Sequence, residues 1–192
     1  MNNNKIFLTS DFHFQHNKEF IYKPRGFNSV EEMNEILIEN YNKIIPTNAE
    51  VYILGDCVLG GANKLESGAE LIKRLHGNLH IVRGNHDSDK RVEMYKALPN
   101  VVEIQNSIYL KYNGYHFYLS HFPSMTSNYD DNKGLKHRTL NLCGHSHTKD
   151  RWLHWATGSY HCEVDAHNNN PILLDDIIQD MKEYSKQLKI PL

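Results

Sequence analysis

The chain has 192 residues, 40% of them hydrophobic and 23% charged, with a net charge of −2. That length suits a single domain, 1–192, and a chain of this size buries about 70% of its unfolded surface, enough for a core without disulfides. The lack of a positive field argues against coating long nucleic acid or an anionic membrane, but not against a small phosphorylated substrate. Cys57, Cys143 and Cys162 are an odd, widely spaced set that suits a reducing compartment. No apolar run approaches the roughly 18 residues needed to cross a bilayer, and the polar start lacks the apolar centre of a signal peptide, so a cytoplasmic location is expected. The outlying number is 13 histidines, because histidine is both the commonest metal ligand and a frequent acid or base.

In chain order, Lys5 to Thr9 reads as a short buried strand. Ser29 and Glu32 match a capping box ahead of a helical stripe, Val30, Met33, Leu37, Tyr41 and Ile44, which stops before Pro46. Val51 to Leu54 is a second strand, Ala62 to Leu75 a helix with Leu65, Ala69, Ile72 and Leu75 on one face, and Leu79 to Val82 a third strand. Lys90 to Leu98 is a helix stopped by Pro99. Beyond it come strands at Val101 to Ile104, Ser107 to Lys111 and Tyr115 to Ser120, the last two joined by the hairpin pair Asn113-Gly114. Further strands follow at Leu140 to Cys143, Trp152 to Ala156 and His161 to Val164, and Asp175 to Leu188 closes the chain as a helix. Alternating strands and helices followed by strands predict parallel pairing first and antiparallel pairing later, in a mixed α/β sandwich.

Five short motifs follow predicted strands: Asp11-Phe12-His13, Gly55-Asp56, Gly84-Asn85-His86-Asp87, His121, and Gly144-His145-Ser146-His147. Residues i and i+2 of an extended chain project to one side, so Asp11 with His13, and His145 with His147, are expected to grip one object each. Ligands in open α/β sheets sit beyond the carboxyl ends of the strands. Asp11, His13, Asp56, Asn85, His121, His145 and His147 are therefore expected to converge. Their imidazole, carboxylate and amide donors suit Mn, Fe, Zn, Ni or Co, with Mn favoured, rather than an all-oxygen or thiolate site. They are too many for one tetrahedral zinc and about right for two divalent ions sharing a carboxylate. Each motif alone has a bland reading, because Gly and Asn open many turns. The ordered set behind strands does not.

This pattern resembles that of the calcineurin-like metallophosphoesterases: Asp-x-His, Gly-Asp, Gly-Asn-His-Asp/Glu, His and Gly-His-x-His. Ser29 to Asn34, Ser120 to Pro123 and Val164 to His167 look like a small bacterial and phage branch of that family. The resemblance implies a four-layer α/β/β/α sandwich with two mixed β-sheets and a dinuclear centre. It implies one ion on Asp11, His13, Asp56 and His147, and the other on Asp56, Asn85, His121 and His145, with Asp56 bridging. His86 matches a histidine that contacts the phosphate or protonates the leaving oxygen, and Asp87 would shape its loop. Cys57, next to the bridging aspartate, should point away from the metals. At this length no large cap is expected, leaving substrate choice to loops. The implied activity is hydrolysis of a small phosphodiester or nucleotide-like ester by in-line attack of a hydroxide between the ions. The alternatives are a nuclease on the same centre or a non-catalytic scaffold on the same fold; retention of every ligand and of His86 argues against the scaffold.

Outside the motifs, His16 follows the first one closely and is a candidate substrate contact. Arg25, in Lys23-Pro24-Arg25-Gly26, either forks onto phosphate or is a solvated loop cation. Arg83 could brace its loop, Trp152 and Trp155 read as packing, and the remaining histidines read as surface or strand residues.

Overall fold

The computed structural model describes residues 5–126, 134–152 and 159–187. The chain runs β1 (Ile6–Thr9), α1 (Glu19–Tyr22), α2 (Val30–Ile44), β2 (Glu50–Ile53), α3 (Leu65–Lys73), β3 (Asn78–Val82), α4 (Asp89–Lys96) and β4 (Val101–Gln105). It continues through β5 (Ser107–Tyr112), β6 (Tyr115–Ser120), β7 (Thr139–Cys143), β8 (Ser159–His161), β9 (Ile172–Leu173) and α5 (Leu174–Gln187). Five strands form one sheet in the order β4-β3-β2-β1-β9, and four form the other, β5-β6-β7-β8. Both sheets are mixed, as expected of the α/β/β/α sandwich. In the first, β1 to β4 are parallel and β9 alone runs antiparallel.

The period of two along β1, β2 and β3 divides the core. Phe7, Val51, Ile53, Leu79 and Ile81 pack against the helical side with Met33, Leu37 and Tyr41 of α2, Ile72 of α3 and Tyr95 of α4. Leu8, Tyr52, Leu54 and Val82 face the second sheet, where they meet Phe117, Leu119, Leu140, Leu142 and Tyr160. α5 adds Leu174, Ile177, Ile178 and Met181 to that second core. The two cores hold the sheets in fixed registration, which positions side chains carried on the two sheets relative to one another.

α2 begins as expected: Ser29 Oγ accepts from the Glu32 amide at 3.1 Å. The return bond is displaced by one residue, because Glu32 Oε2 accepts from the Asn28 amide at 2.6 Å instead of from Ser29. Ile44, read as the last residue of the apolar stripe, is exposed, and Ile45 just past the helix is buried in its place.

Several expectations change. The second sheet is not mainly antiparallel: only β5 and β6 pair that way, while β6, β7 and β8 run parallel. The β6–β7 and β7–β8 connections each exceed the dozen or so residues that a parallel crossover needs. The strand expected at His161 to Val164 ends at His161, and Val164–His167 forms a 3₁₀ turn. Trp152 contributes a single bridge to Tyr160; the rest of the strand expected through Ala156, with His154 and Trp155, lies outside the described residues, as does Leu188. The four-residue α1 and two-residue β9 are too short to show a period.

These contacts set two stability changes on one helix. Ser29→Ala removes the cap and should cost about 1 kcal/mol. Leu37→Ala opens a cavity in the helical core and should cost about 2–5 kcal/mol. Urea unfolding should show both as shifts in midpoint at constant slope, with Leu37→Ala clearly the larger; equal shifts would contradict the packing described for α2.

Candidate metal centre

The motifs meet at the carboxyl ends of β1, β2 and β3 and of β6 and β7, where the two sheets adjoin. Around Asp11, side-chain phase ties the segment down: Phe12 and Phe14 stack at 4.8 Å inside the helical core, while Asp11 and His13 turn away from it. The Asp11, His13 and Phe14 amides donate to the carbonyls of Gly55, Asp56 and Cys57 at 3.0 Å each, so the first two motif loops continue the parallel ladder. Cys57 is buried in the helical core, away from the centre.

The backbone differs from the extended chain that the Asp-x-His and His-x-His spacings predict. Asp11, His13, Asp56, His145 and His147 all have positive φ, from 49° to 74°. Left-handed backbone costs a non-glycine residue roughly 1–2 kcal/mol, and its concentration on five ligand-type residues marks a locally strained, functional region. The surrounding fold imposes it through close approach. A Cβ on Gly84 would lie 2.1 Å from Asp56 Oδ1, and one on Gly144 would lie 2.3 Å from Asp11 Oδ2. The motif glycines leave the room in which the two carboxylates sit.

Two groups of donors converge: Asp11 with His13 and His147, and Asp11 with Asp56 and His121. In the first, His13 Nε2 and His147 Nε2 are 3.0 Å apart and stand 3.7 and 3.6 Å from Asp11 Oδ1. Asp11 Oδ1 is buried and has no hydrogen-bond partner among the described residues, whereas Oδ2 accepts from Ser10 Oγ and from the His145 amide at 2.9 Å. In the second, His121 Nδ1 is 2.8 Å from the Leu54 carbonyl and donates to it, which leaves the Nε2 lone pair facing Asn85 Oδ1 at 2.8 Å and Asp56 Oδ2 at 3.4 Å. His145 Nδ1 is 3.3 Å from the same nitrogen. Asp56 Oδ2 also lies 3.6 Å from His13 Nε2 of the first group. Acceptors crowded on acceptors around an orphaned carboxylate oxygen are the signature of a site for cations, and the mixed donors fit divalent transition metals.

The remaining candidates fall at different depths. His86 stands at the mouth with its side chain 45% exposed and Nε2 4.0 Å from Asp56 Oδ2, and its amide donates to Asp56 Oδ1 at 2.8 Å. His16 is half-buried beside the His13 ring, and burial, reinforced by the neighbouring histidines, lowers its pKa to about 4. Asp87 is buried beneath the centre: Oδ2 accepts from the amides of Asp56 and Gly84, and Oδ1 from Tyr95 Oη. Burial pushes its carboxyl up from the usual range. Arg83 braces this loop, donating from Nε to the Asp87 carbonyl at 2.7 Å.

Arg25 fits neither of its two sequence readings, a fork onto phosphate or a solvated loop cation. Its side chain is 1% exposed. It forks onto Asp165 at 2.9 and 2.7 Å and donates to the carbonyls of Phe12 and Asp11 at 3.0 and 2.8 Å. It has no face to offer a substrate; it clamps the first motif from behind. Its partner Asp165 was legible only as part of Val164 to His167. That carboxylate also accepts from His147 Nδ1 at 3.0 Å and so turns the imidazole's Nε2 inward. Burial raises the Asp165 pKa, but hydrogen bonds from His147 and Arg25 outweigh this and hold it far below the carboxylate range. His161 is a buried residue of strand β8, whereas His167, read as a surface or strand residue, is buried in the 3₁₀ turn and donates from Nε2 to the His161 carbonyl at 2.8 Å.

Two substitutions test this geometry. Gly144→Ala should displace the Asp11 carboxylate and weaken Mn²⁺ binding by roughly 10-fold or more while far-ultraviolet circular dichroism is kept; wild-type affinity by calorimetry would mean that the carboxylate has room to move. Asp165→Asn should weaken binding by about 10–100-fold through loss of His147 orientation. It should also lower stability, because Arg25 keeps a buried charge without its counterion. Since the folded carboxylate titrates below its unfolded value, that stability gap should be full above about pH 4 and close as the pH falls toward the folded pKa. A gap constant down to pH 2 would contradict the ion pair.

Comparison with known proteins agrees with this architecture. The family model described as calcineurin-like phosphoesterase matches residues 4–186. An uncharacterised protein of Methanocaldococcus jannaschii is 34% identical over 185 residues, covering 93% of this chain and 92% of the relative. Among solved structures, a protein of unknown function from Aquifex aeolicus superposes with a TM-score of 0.67 at 22% identity, over 92% of this chain and 99% of that one. A phosphoesterase from E. coli gives a TM-score of 0.46 at 19% identity, over 83% and 78% of the two chains. The chain belongs to the calcineurin-like phosphoesterase family.

Proposed function

We propose that this protein is a metal-dependent phosphoesterase that hydrolyses a small phosphodiester or nucleotide-like phosphate ester with two divalent transition-metal ions, Mn foremost. The observation that carries this reading is the partnerless, buried Asp11 Oδ1 ringed by inward-facing imidazole nitrogens, next to a second group built on Asp56 and His121. Asp11, His13, Asp56 and His147 would hold one ion, and Asp56, Asn85, His121 and His145 the other. When bound, such ions polarise phosphoryl oxygens and lower the pKa of water for in-line displacement.

The chain's own groups supply the rest. Asp56 Oδ2 is 3.4 Å from His121 Nε2 of its own group and 3.6 Å from His13 Nε2 of the other, which supports a bridging role for this carboxylate. The amide nitrogen of Asn85 is the half of that side chain left to hold a non-bridging phosphoryl oxygen. His86, half-exposed at the mouth, is positioned to give a proton to the departing alkoxide. His16, neutral near pH 7 because burial depresses its pKa to about 4, lines the mouth without adding charge. Arg25 is assigned to support of the first motif.

Protein reconstituted with excess Mn²⁺ should contain close to two ions per chain, and Asp56→Asn should lose metal and turnover together. One ion per chain, or near-normal turnover of the variant, would remove the shared carboxylate. His86→Ala should keep both ions and lose roughly 10²–10⁴ in kcat on an alkoxide leaving group, with a smaller loss on nitrophenolate. Equal losses on the two leaving groups would assign His86 to phosphoryl binding instead.

A further inference from the structure

The two ends of the centre each carry an exposed phenyl ring. Phe122 follows His121 directly and is 50% exposed. Its ring packs edgewise on His145 at 4.6 Å and on His121 at 5.1 Å. Phe20 is 70% exposed and sits perpendicular to His16, whose ring is 5.4 Å from His13. Large apolar side chains left open beside a hydrolytic centre have surface to bury against something that enters it.

Phe122 is also held in place. Its carbonyl accepts from Ser120 Oγ at 2.8 Å and Ser124 Oγ at 3.0 Å. The Ser124 amide donates to Asn141 Oδ1 at 2.8 Å, and Asn141 Nδ2 returns to Ser120 Oγ at 2.8 Å. Asn141 is buried in β7, so the turn carrying Phe122 is anchored to the same strand that leads to His145. An aromatic side chain with two χ angles on an anchored turn loses little freedom when a ligand stacks on it.

Charge near the centre points the same way. Arg25 is committed to Asp165 and two carbonyls, Arg83 to the Asp87 carbonyl and Asp89, and Arg91 to the carbonyls of His86 and Gly60. These three guanidinium groups support the motif loops instead of presenting a fork for additional phosphates.

We infer that Phe122 is a specificity-determining residue that stacks on the nucleobase of a nucleoside esterified through its sugar to the phosphate, on the group that stays with phosphorus and not on the leaving group. This rests on the phosphoesterase reading above and adds the class of ester, a nucleoside phosphodiester. Base–aromatic stacking is sequence-tolerant, so the platform reads the presence of a base, not its identity.

The test uses the Mn-loaded full chain and two esters with one leaving group, thymidine 5′-(p-nitrophenyl phosphate) and methyl p-nitrophenyl phosphate. Phe122→Ala should lower kcat/KM on the thymidine ester by about 5–100-fold, mainly through KM, from the loss of one stacking contact, and leave the methyl ester within about twofold. Phe122→Trp should restore the thymidine ester and Phe122→Leu should not. An equal loss on both esters would overturn stacking and make Phe122 a support for His145. A readout independent of turnover is the fluorescence of Phe122→Trp, which thymidine 5′-monophosphate should quench relative to wild type. No quenching at saturating nucleotide would also overturn the inference. If wild type cleaves neither ester while quenching occurs, hydrolysis of a diester is overturned and the base platform stands.

Discussion

Two buried carboxylates side by side are the constraint from which the rest of this structure follows. Asp11 and Asp56 sit at the ends of neighbouring parallel strands, nearly without solvent. Burying one such charge is costly and burying two adjacent ones is worse, unless donors and cations surround them. The chain meets that cost locally. Backbone amides of His145 and His86 point at the carboxylates, Ser10 donates to Asp11, and glycines at 84 and 144 leave the space that a methyl group would fill. Even so, Asp11 Oδ1 stays without a hydrogen-bond partner among the described residues. The two aspartates themselves, with His13, His145 and His147, carry the positive φ values of the cluster.

The centre straddles the two sheets. Asp11, His13, Asp56 and Asn85 come from loops of the first sheet, and His121, His145 and His147 from loops of the second. Distances between carboxylates and imidazoles therefore depend on how the sheets pack, which the inter-sheet core of Leu8, Leu54, Val82, Leu119 and Leu142 sets. Cross-sheet hydrogen bonds strengthen that link at the site itself: His121 Nδ1 to the Leu54 carbonyl, and the His145 amide to Asp11.

Charge is distributed by depth. Arg25 and Asp165 form a buried ion pair behind the first motif and orient His147 from outside. Asp87 and Tyr95 do the corresponding work beneath Asp56. At the mouth the chain places His16, His86, Phe20 and Phe122. Buried charged support thus lies below the centre, and imidazole and phenyl rings lie at its mouth.

The motif residues were legible in the sequence because each is a short polar cluster directly after an apolar strand, and strand ends in such sheets open to one side. The parallel order of β1 to β4, the cap of α2 and the buried placement of Cys57 were legible for the same local reasons. Arg25 was not, because a lone loop arginine reads alike whether it is solvated, bound to phosphate or buried against a partner 140 residues away. The parallel run of β6, β7 and β8 was not legible either, since a strand's direction is fixed by the path of its connections and not by its own residues. The left-handed backbone of Asp11, His13, Asp56, His145 and His147 belongs to the same class. Residue types and spacing determined by themselves which donors this protein brings to the ends of its strands. Which way each donor points, and what holds it there, was decided only when two sheets packed face to face, because those forces act between residues remote in the chain.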